Sequence, residues 1–325
     1  MRILYVDVIL LLMMTTAVGC SERTAVHGIE FVSIPAGEFL MGNANPNEAG
    51  EYSQCEGPQH RVQITRPIRM SKYEITVAQF RQFVEETGYV TDVERSGKGC
   101  NGLNAETGQV ERSAERNWRS PGFEQLENYP VVCVSRDDAI AFCQWLSQRL
   151  NSRCRLPAEA EWEFCCRAGT STRFATGDSA ESLQGFANCG DQTLVEKFPQ
   201  FESSAATWAD GYPFTAPVGS FGANAFGLYD MHGNVGEWCS DLFDPSYYSQ
   251  SDSVDPEGPP EEPVSDVNQN PVRFWRVVRG GSWYNAPLSL RSSGRHDGVP
   301  TEPSTTNGFR VVAETDSSSR GVVAE

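Results

Sequence analysis

Gly227 to Asp241 reads G-L-Y-D-M-H-G-N-V-G-E-W-C-S-D, and the way this stretch folds decides where the rest of the chain is placed. Leu228, Tyr229 and Trp238 are large and apolar, yet glycines at 233 and 236 would weaken a helix and interrupt a strand. The expectation is a tight loop held by something other than a regular hydrogen-bond ladder. Asp230 and Glu237 supply carboxylates, and the carbonyls of Gly233 and Val235 can turn inward between them. Hard oxygen donors at that spacing suit calcium, which takes six to eight oxygens at roughly 2.3–2.6 Å. An ordinary loop with solvated acids is the competing reading.

Upstream of this stretch, three helices announce their starts. Thr76 and Gln79 form a capping box ahead of an apolar stripe at Val77, Phe80, Phe83 and Val84, and Gly88 supplies the left-handed stop. Ser135 with Asp138 caps a second helix, which carries Ile140, Cys143, Leu146 and Leu150 on one face with Phe142 and Trp145 flanking. Arg155-Leu156-Pro157 leads into A-E-A-E-W-E-F-C-C-R-A-G, a third helix stopped by Gly169, in which Glu159, Glu161 and Glu163 read as structural. Phe31 to Asn43 alternates and ends in Gly-Asn, a hairpin-like signal, and His60 to Ile75 alternates as strands broken at Pro67. Tyr129 to Val134 reads as a short buried strand. Thr91 to Asn128 reads as loop with an exposed Trp118, and Asp244 to Asn270, rich in Pro, Asp, Glu and Ser, as a solvated surface loop.

The opening stretch resembles the G-L-Y-[DN]-x-x-G-N-x-W-E-W segment of the formylglycine-generating enzyme (sulfatase-modifying factor) family, with Gly236 standing where the family usually has Trp. The third helix is similar to the family's R-L-P-T-E-A-E-W-E, with Ala158 in place of Thr. Phe186-Ala187-Asn188-Cys189, then Asp210-Gly211-Tyr212 and T-A-P-V-G-S from Thr215, resemble its first calcium site. R-V-V-R-G-G-S-W at 276–283, then Arg291, Arg295, Pro300 and G-F-R-V-V at 308–312, resemble its closing pattern. The resemblance implies an α+β, C-type-lectin-like fold, loop-rich with few helices and short strands, in a single domain over 28–313. It also implies two calcium sites. Asn188 and Asp210 would give side-chain oxygens and Cys189 and Tyr212 carbonyls to one; Asp230, Gly233, Val235 and Glu237 would form the other.

Arg2, the apolar run Val8–Met14 and A-V-G-C ending at Cys20 read as a secretory signal with a lipobox, cleaved before a lipidated Cys20. A plain cleaved signal with a structural Cys20 is the alternative. Residues 21–27 would be a linker and 314–325 a disordered polar tail. This reading places the protein on the cell envelope, facing the periplasm or the outside, with the membrane reached through its lipid. Acidic residues number 43 against 26 basic ones, a net charge of −17 that disfavours nucleic acid and tolerates divalent cations. Nine cysteines lie beyond Cys20; outside the cytoplasm some should pair, and an odd number leaves at least one over. The four histidines are scattered and no C-x-x-C occurs, which disfavours zinc or a three-histidine iron.

The resembled enzymes oxidise a substrate cysteine with oxygen and a copper ion held by two thiolates. Here Asn285 occupies the first of those positions, and Leu290 or a gap the second; no cysteine follows Cys239. Asn and Leu cannot supply the soft anions a cuprous ion prefers, so copper is not expected. The first reading is therefore a binding module for a protein, peptide or glycan. Its surface would be Trp283, Tyr284, Asn285, Arg291, Arg295, His296 and Asp297, unless Arg291 and Arg295 pair with core acids. Some relatives in this family are diversified receptors that vary this same segment. Alternatives are an oxidoreductase, either retaining cysteine oxidation or performing a pyoverdine-type tailoring reaction. An ergothioneine-type sulfoxide synthase would need an additional helical domain.

Overall fold

Residues that alternate inward and outward set the strands, and capping residues set the helices. The computed structural model describes residues 28–46, 51–260 and 275–314. In chain order these form β1 (Phe31–Ile34), β2 (Gly37–Met41), β3 (His60–Ile64), β4 (Ile68–Ser71), α1 (Val77–Thr87) and α2 (Asp92–Ser96). Then come β5 (Cys100–Leu103), β6 (Val110–Ser113), α3 (Arg136–Leu150), β7 (Cys154–Arg155), α4 (Glu159–Arg167) and α5 (Gln192–Lys197). The chain closes with β8 (Gly236–Leu242), β9 (Arg276–Arg279), β10 (Arg295–Gly298), β11 (Asn307–Gly308) and β12 (Val312–Ala313). Few helices and short strands in one α+β domain match the expected fold class. The proposed signal and Cys20, the linker up to residue 27, and residues 315–325 lie outside the described residues.

One sheet runs β1-β4-β12-β7 and a second β10-β9-β8-β11, with β2-β3 and β5-β6 as two-stranded ladders. The second sheet is covered on both faces. Trp238 and Val278 point into a cluster built on α1 and α3 with Phe80, Phe142 and Phe309, whereas their neighbours Cys239 and Val277 point into one built on Trp162, Met70 and Tyr248. This alternation is the two-residue period of a pleated strand, and it explains why β8 and β9 are buried almost throughout, their charged residues included.

Both expected capping boxes form, at Thr76/Gln79 and Ser135/Asp138, and Gly88 takes the left-handed conformation at φ +68°. Several expectations need correction. Phe31–Asn43 does not fold on itself: β1 pairs with β4 and β2 with β3, while Gly42, at φ +89°, turns the chain toward a 3-10 helix at Glu51–Glu56. A Cβ on Gly42 would lie 2.6 Å from the Glu56 carbonyl, so glycine is required there. The 91–128 loop contains α2, capped by Thr91 and Glu94, and the β5–β6 hairpin. Trp118 is buried edge-on against Phe80 rather than exposed. Val131–Val134 is buried but joins no sheet; its amides bond to Ile75 and Ser304 carbonyls on either side, and Cys133 at φ +58° breaks the extension. On α3 the deepest residues are Ala139, Phe142 and Leu146, with Ile140 and Leu150 only partly covered.

α4 begins at Ala158, which has no side-chain acceptor for the helix's free amides. Two carboxylates do that work, one from the helix's own first turn and one from β8. Glu161 accepts from the Ala158 amide at 2.9 Å, and Asp241 on β8 accepts from the Glu159 amide at 2.9 Å. The helix stops one residue before Gly169, with Ala168 left-handed at φ +46°. Burial, then the neighbouring charge of Glu159, pushes the Asp241 carboxyl up to about 7. A carboxyl whose folded value lies above its unfolded one of about 3.9 contributes stability that is complete at low pH and lost as pH rises toward 7. Asp241→Asn should therefore flatten the decline of stability between pH 4 and 7. Urea denaturation of both proteins at pH 4.5 and 7.5 checks it; equal declines would remove Asp241 from the account.

Candidate functional site

The opening stretch is a loop only as far as Val235. Asp230, Gly233 and Asn234 all have positive φ, at +58°, +85° and +59°, and β8 then starts at Gly236, contrary to the expectation that this glycine would interrupt a strand. Gly236 is accommodated because β11 runs parallel beside it, with Asn307 opposite Gly236 and Gly308 opposite Glu237. A Cβ at Gly236 would sit 2.8 Å from Val278 and 3.0 Å from the Asn307 amide oxygen.

Glu237 is fully buried and fork-bonded by Arg310, with Nε to Oε2 at 2.6 Å and Nη2 to Oε1 at 2.7 Å. Trp162 Nε1 also donates to Oε2 at 2.7 Å. Glu237 thus already takes three donors. The carboxylate beside Asp230 with an oxygen to spare is a residue that the sequence did not single out, Glu74. Asp230 Oδ2 accepts from the Gly219 amide at 2.7 Å and Glu74 Oε1 from Asn234 Nδ2 at 3.0 Å, while Asp230 Oδ1 and Glu74 Oε2 are buried without a partner. Burial, then the charge of Asp230, holds the Glu74 carboxyl well above the ordinary carboxylate range, and burial, with the charge of Glu237, raises that of Asp230. The only hint in the sequence was an acid in K-Y-E-I, directly after β4 and ahead of the α1 cap.

Polar contacts continue from this pair to the other expected calcium residues. Asn234 Oδ1 accepts from Asn188 Nδ2 at 3.2 Å, and Asn188 Oδ1 is buried with no partner. Asp210 accepts from the Tyr212 amide at 2.8 Å and the Cys189 amide at 3.2 Å, so Cys189, Asp210 and Tyr212 do come together. Burial pushes the Asp210 carboxyl up to about 7. Among the described residues no three His, Cys, Asp or Glu side chains converge as a ready-made metal cage. The fit to a hard cation rests on the orphaned amide and carboxylate oxygens at Asn188, Asp230 and Glu74, which suit an ion that also takes carbonyls.

The seven residues expected to form a ligand surface divide. Trp283 is buried, its Nε1 donating to the Thr305 carbonyl at 3.2 Å and its ring set among Phe123 and Phe214. Arg291 is buried against Glu56, whose Oε2 also accepts from Ser293 at 2.8 Å. Arg295 grips Glu159 through contacts of 2.7 and 2.9 Å and lies over the Tyr248 ring at 4.1 Å. These three leave the surface for a physical reason: each fills or neutralises the core. Tyr284 is half-buried against Phe201 and Trp283.

Asn285, His296 and Asp297 remain, lining a cleft of about 320 Å³ beside the second sheet. Gly236, Val278, Val299, Glu302 and Asn307 also line it. Asn285 Oδ1 accepts from the Ser282 amide at 2.9 Å and hydroxyl at 2.8 Å, pinning the glycine turn that follows β9. Among the described residues no cysteine lines this cleft, and Leu290 is fully buried in an apolar cluster. Cys100 and Cys133 form a disulfide, and the buried thiols, such as Cys165 and Cys239, are pushed up by burial. The residues here do not fit a copper ion. His232, buried beside Cys166, is spoken for by the Leu290 carbonyl at 2.7 Å and the Ala175 amide at 3.0 Å.

A model of the sulfatase-modifying factor enzyme 1-like domain matches residues 18–315. A formylglycine-generating enzyme of Streptomyces coelicolor is 34% identical over 316 residues, covering 90% of this chain and 92% of that one. The Mus musculus formylglycine-generating enzyme is 32% identical, over 88% of this chain and 75% of its own. Among solved structures, PvdO from Pseudomonas aeruginosa superposes with TM-score 0.67 at 29% identity, covering 89% of this chain and 95% of that one. Treponema denticola variable protein 1, at TM-score 0.61 and 20% identity over 88% of this chain and 95% of that one, shares the fold. From its signature loop to its closing strands, this chain belongs to the family of the sulfatase-modifying factor enzyme 1-like domain.

Proposed function

We propose that this chain is a binding module of its family that does not convert cysteine to formylglycine. It would be stabilised by calcium and anchored to the cell envelope by lipid on Cys20. The observation that carries this reading is the chemistry of the cleft: Asn285 spends its amide oxygen on the Ser282 turn, and no thiol reaches the lining. Asn188 and Asp210 would hold one calcium with the Cys189 and Tyr212 carbonyls. Asp230, with the carbonyls of Gly233 and Val235, would hold the other; there Glu74 contributes more than Glu237, which Arg310 already occupies. The partner is a protein, peptide or glycan bound at the cleft.

The 34% identity to a formylglycine-generating enzyme favours a second reading, an oxidoreductase acting on protein cysteine. One experiment separates the two. The purified mature chain is incubated in air with copper and a C-x-P-x-R peptide, then melted with calcium or with a chelator. The binding-module reading expects no aldehyde and a calcium-dependent gain. Calcium at 100 times its dissociation constant contributes about 2.7 kcal/mol per site, a rise of roughly 5–10 °C in Tm for a domain of this size. Asp230→Asn should remove part of that rise. Aldehyde formation at enzymatic rates would replace this reading with the second.

A further inference from the structure

We infer that Asn234 is a positioning residue shared by both proposed cation sites, so that the two are built as one unit; this rests on reading those sites as calcium sites. Every hydrogen-bonding position of its amide is committed. Oδ1 accepts from Asn188 Nδ2 at 3.2 Å and from the Ala216 amide at 2.8 Å, while Nδ2 donates to Glu74 Oε1 at 3.0 Å and to the Ala216 carbonyl at 3.4 Å. The side chain is wholly buried, and it reaches across 46 residues to one site and 160 to the other. Its backbone is tied to the first site as well, since its amide donates to the Asn188 carbonyl at 2.8 Å. A φ of +59° suits asparagine, which enters the left-handed region more readily than most residues.

This network leaves three oxygens over. Asn188 gives its Nδ2 to the Phe214 carbonyl at 2.8 Å and to Asn234, so its amide cannot be turned over and Oδ1 is left without a partner. Glu74 spends Oε1 on Asn234 and keeps Oε2, and Asp230 spends Oδ2 on the Gly219 amide at 2.7 Å and keeps Oδ1. Buried polar atoms are nearly always partnered, and these three belong to residues at most 3% exposed. They lie at the two ends of one amide-to-amide chain with Asn234 in the middle. Residues 214–219 run alongside it, meeting Asn188 at Phe214, Asn234 at Ala216 and Asp230 at Gly219. Asn188, drawn toward a cation through Oδ1, becomes a stronger donor to Asn234, and Asn234 a stronger donor to Glu74. Ordering of this shared backbone at one end also lowers the ordering cost at the other.

The test is calorimetric titration of the intact mature chain with calcium in two backgrounds, each lacking one site: Asp210→Asn leaves the second, and Asp230→Asn leaves the first. Asn234→Gly, which removes the amide without straining a left-handed backbone, should weaken calcium at least tenfold in both. A residue that only held the loop would lower the melting temperature in chelator and leave both affinities within threefold. Hydrogen exchange gives a second measurement that does not need this variant. Calcium in either background should slow exchange at the same two amides, Ala216 and Asn234, at least tenfold. Unchanged affinities in Asn234→Gly, an effect confined to one site, or protection confined to the flank of the filled site would overturn the shared role while leaving the calcium sites in place. If Asn234→Gly does not fold, hydrogen exchange alone decides. Absence of calcium binding by the unsubstituted chain would overturn the calcium reading and this inference with it.

Discussion

Arg310→Met is expected to lower the unfolding free energy by about 3–5 kcal/mol, the usual consequence of leaving one member of a buried ion pair without the other. Arg310 is completely buried, and its fork meets both oxygens of Glu237 at 2.6 and 2.7 Å. Its remaining donors reach the Ser71 carbonyl at 3.1 Å and the Tyr229 carbonyl at 2.9 Å, so one side chain joins β4, β8 and the signature loop. Without it, Glu237 would share the interior with Asp230 and Glu74 and no positive charge. The measurement is urea denaturation in a chelator, because added calcium would replace part of the missing charge. Arg310→Met combined with Glu237→Gln should recover most of the loss, since a neutral pair does not need the counter-ion. A single-variant cost below 1 kcal/mol would mean that the pair holds nothing together.

That contact also shows what one sequence can and cannot reveal. Local rules are visible because both partners sit within a few residues. The boxes at Thr76/Gln79 and Ser135/Asp138 could be read directly, and the one at Thr91/Glu94 was there to be read as well. β5 and β6 escaped notice because four residues each, Cys-Asn-Gly-Leu and Val-Glu-Arg-Ser, carry no clear alternation of apolar and polar. The buried arginines were illegible for a different reason. Arg295 meets Glu159 across 136 residues and Arg291 meets Glu56 across 235, and no pattern in a single chain pairs charges over such distances. Trp283 looked like a ligand anchor for the same reason that it is a core residue: a large ring with one donor suits either place, and only the Thr305 carbonyl and the surrounding aromatics decide. The cleft follows suit. Asn285, His296 and Asp297 could be placed near it only through the resemblance of their segment to the family's closing pattern, whereas Gly236 and Glu302 join it through the sheet and the chain that returns to β11.

Removing the disulfide, by Cys100→Ala with Cys133→Ala, should cost about 3–4 kcal/mol by the loop-closure relation, for a bond that spans 33 residues. The bond ties β5 to the segment ahead of α3, and both sulfurs are buried, so the oxidised form is protected from reductant in the folded state. The effect should also reach the cleft. The Asn101 amide donates to the Pro303 carbonyl at 3.0 Å, the Thr305 amide returns a bond to the Asn101 carbonyl at 2.8 Å, and the Cys133 amide donates to the Ser304 carbonyl at 3.0 Å. The bridge therefore clamps the chain from Pro303 to Thr305 between two tethered segments, and that chain carries part of the cleft rim. Two readouts follow. Urea denaturation should show the loss of stability, equal for the double variant and for wild type unfolded in reductant. Limited proteolysis should show earlier cleavage in the β5–β6 hairpin of the variant than anywhere in α1 or α3. A bond of this kind persists in an oxidising compartment, as the proposed envelope location requires. If the double variant lost less than 1 kcal/mol and kept its hairpin intact, the clamp would be formed by the hydrogen bonds alone, and the bond would say nothing about where the protein works.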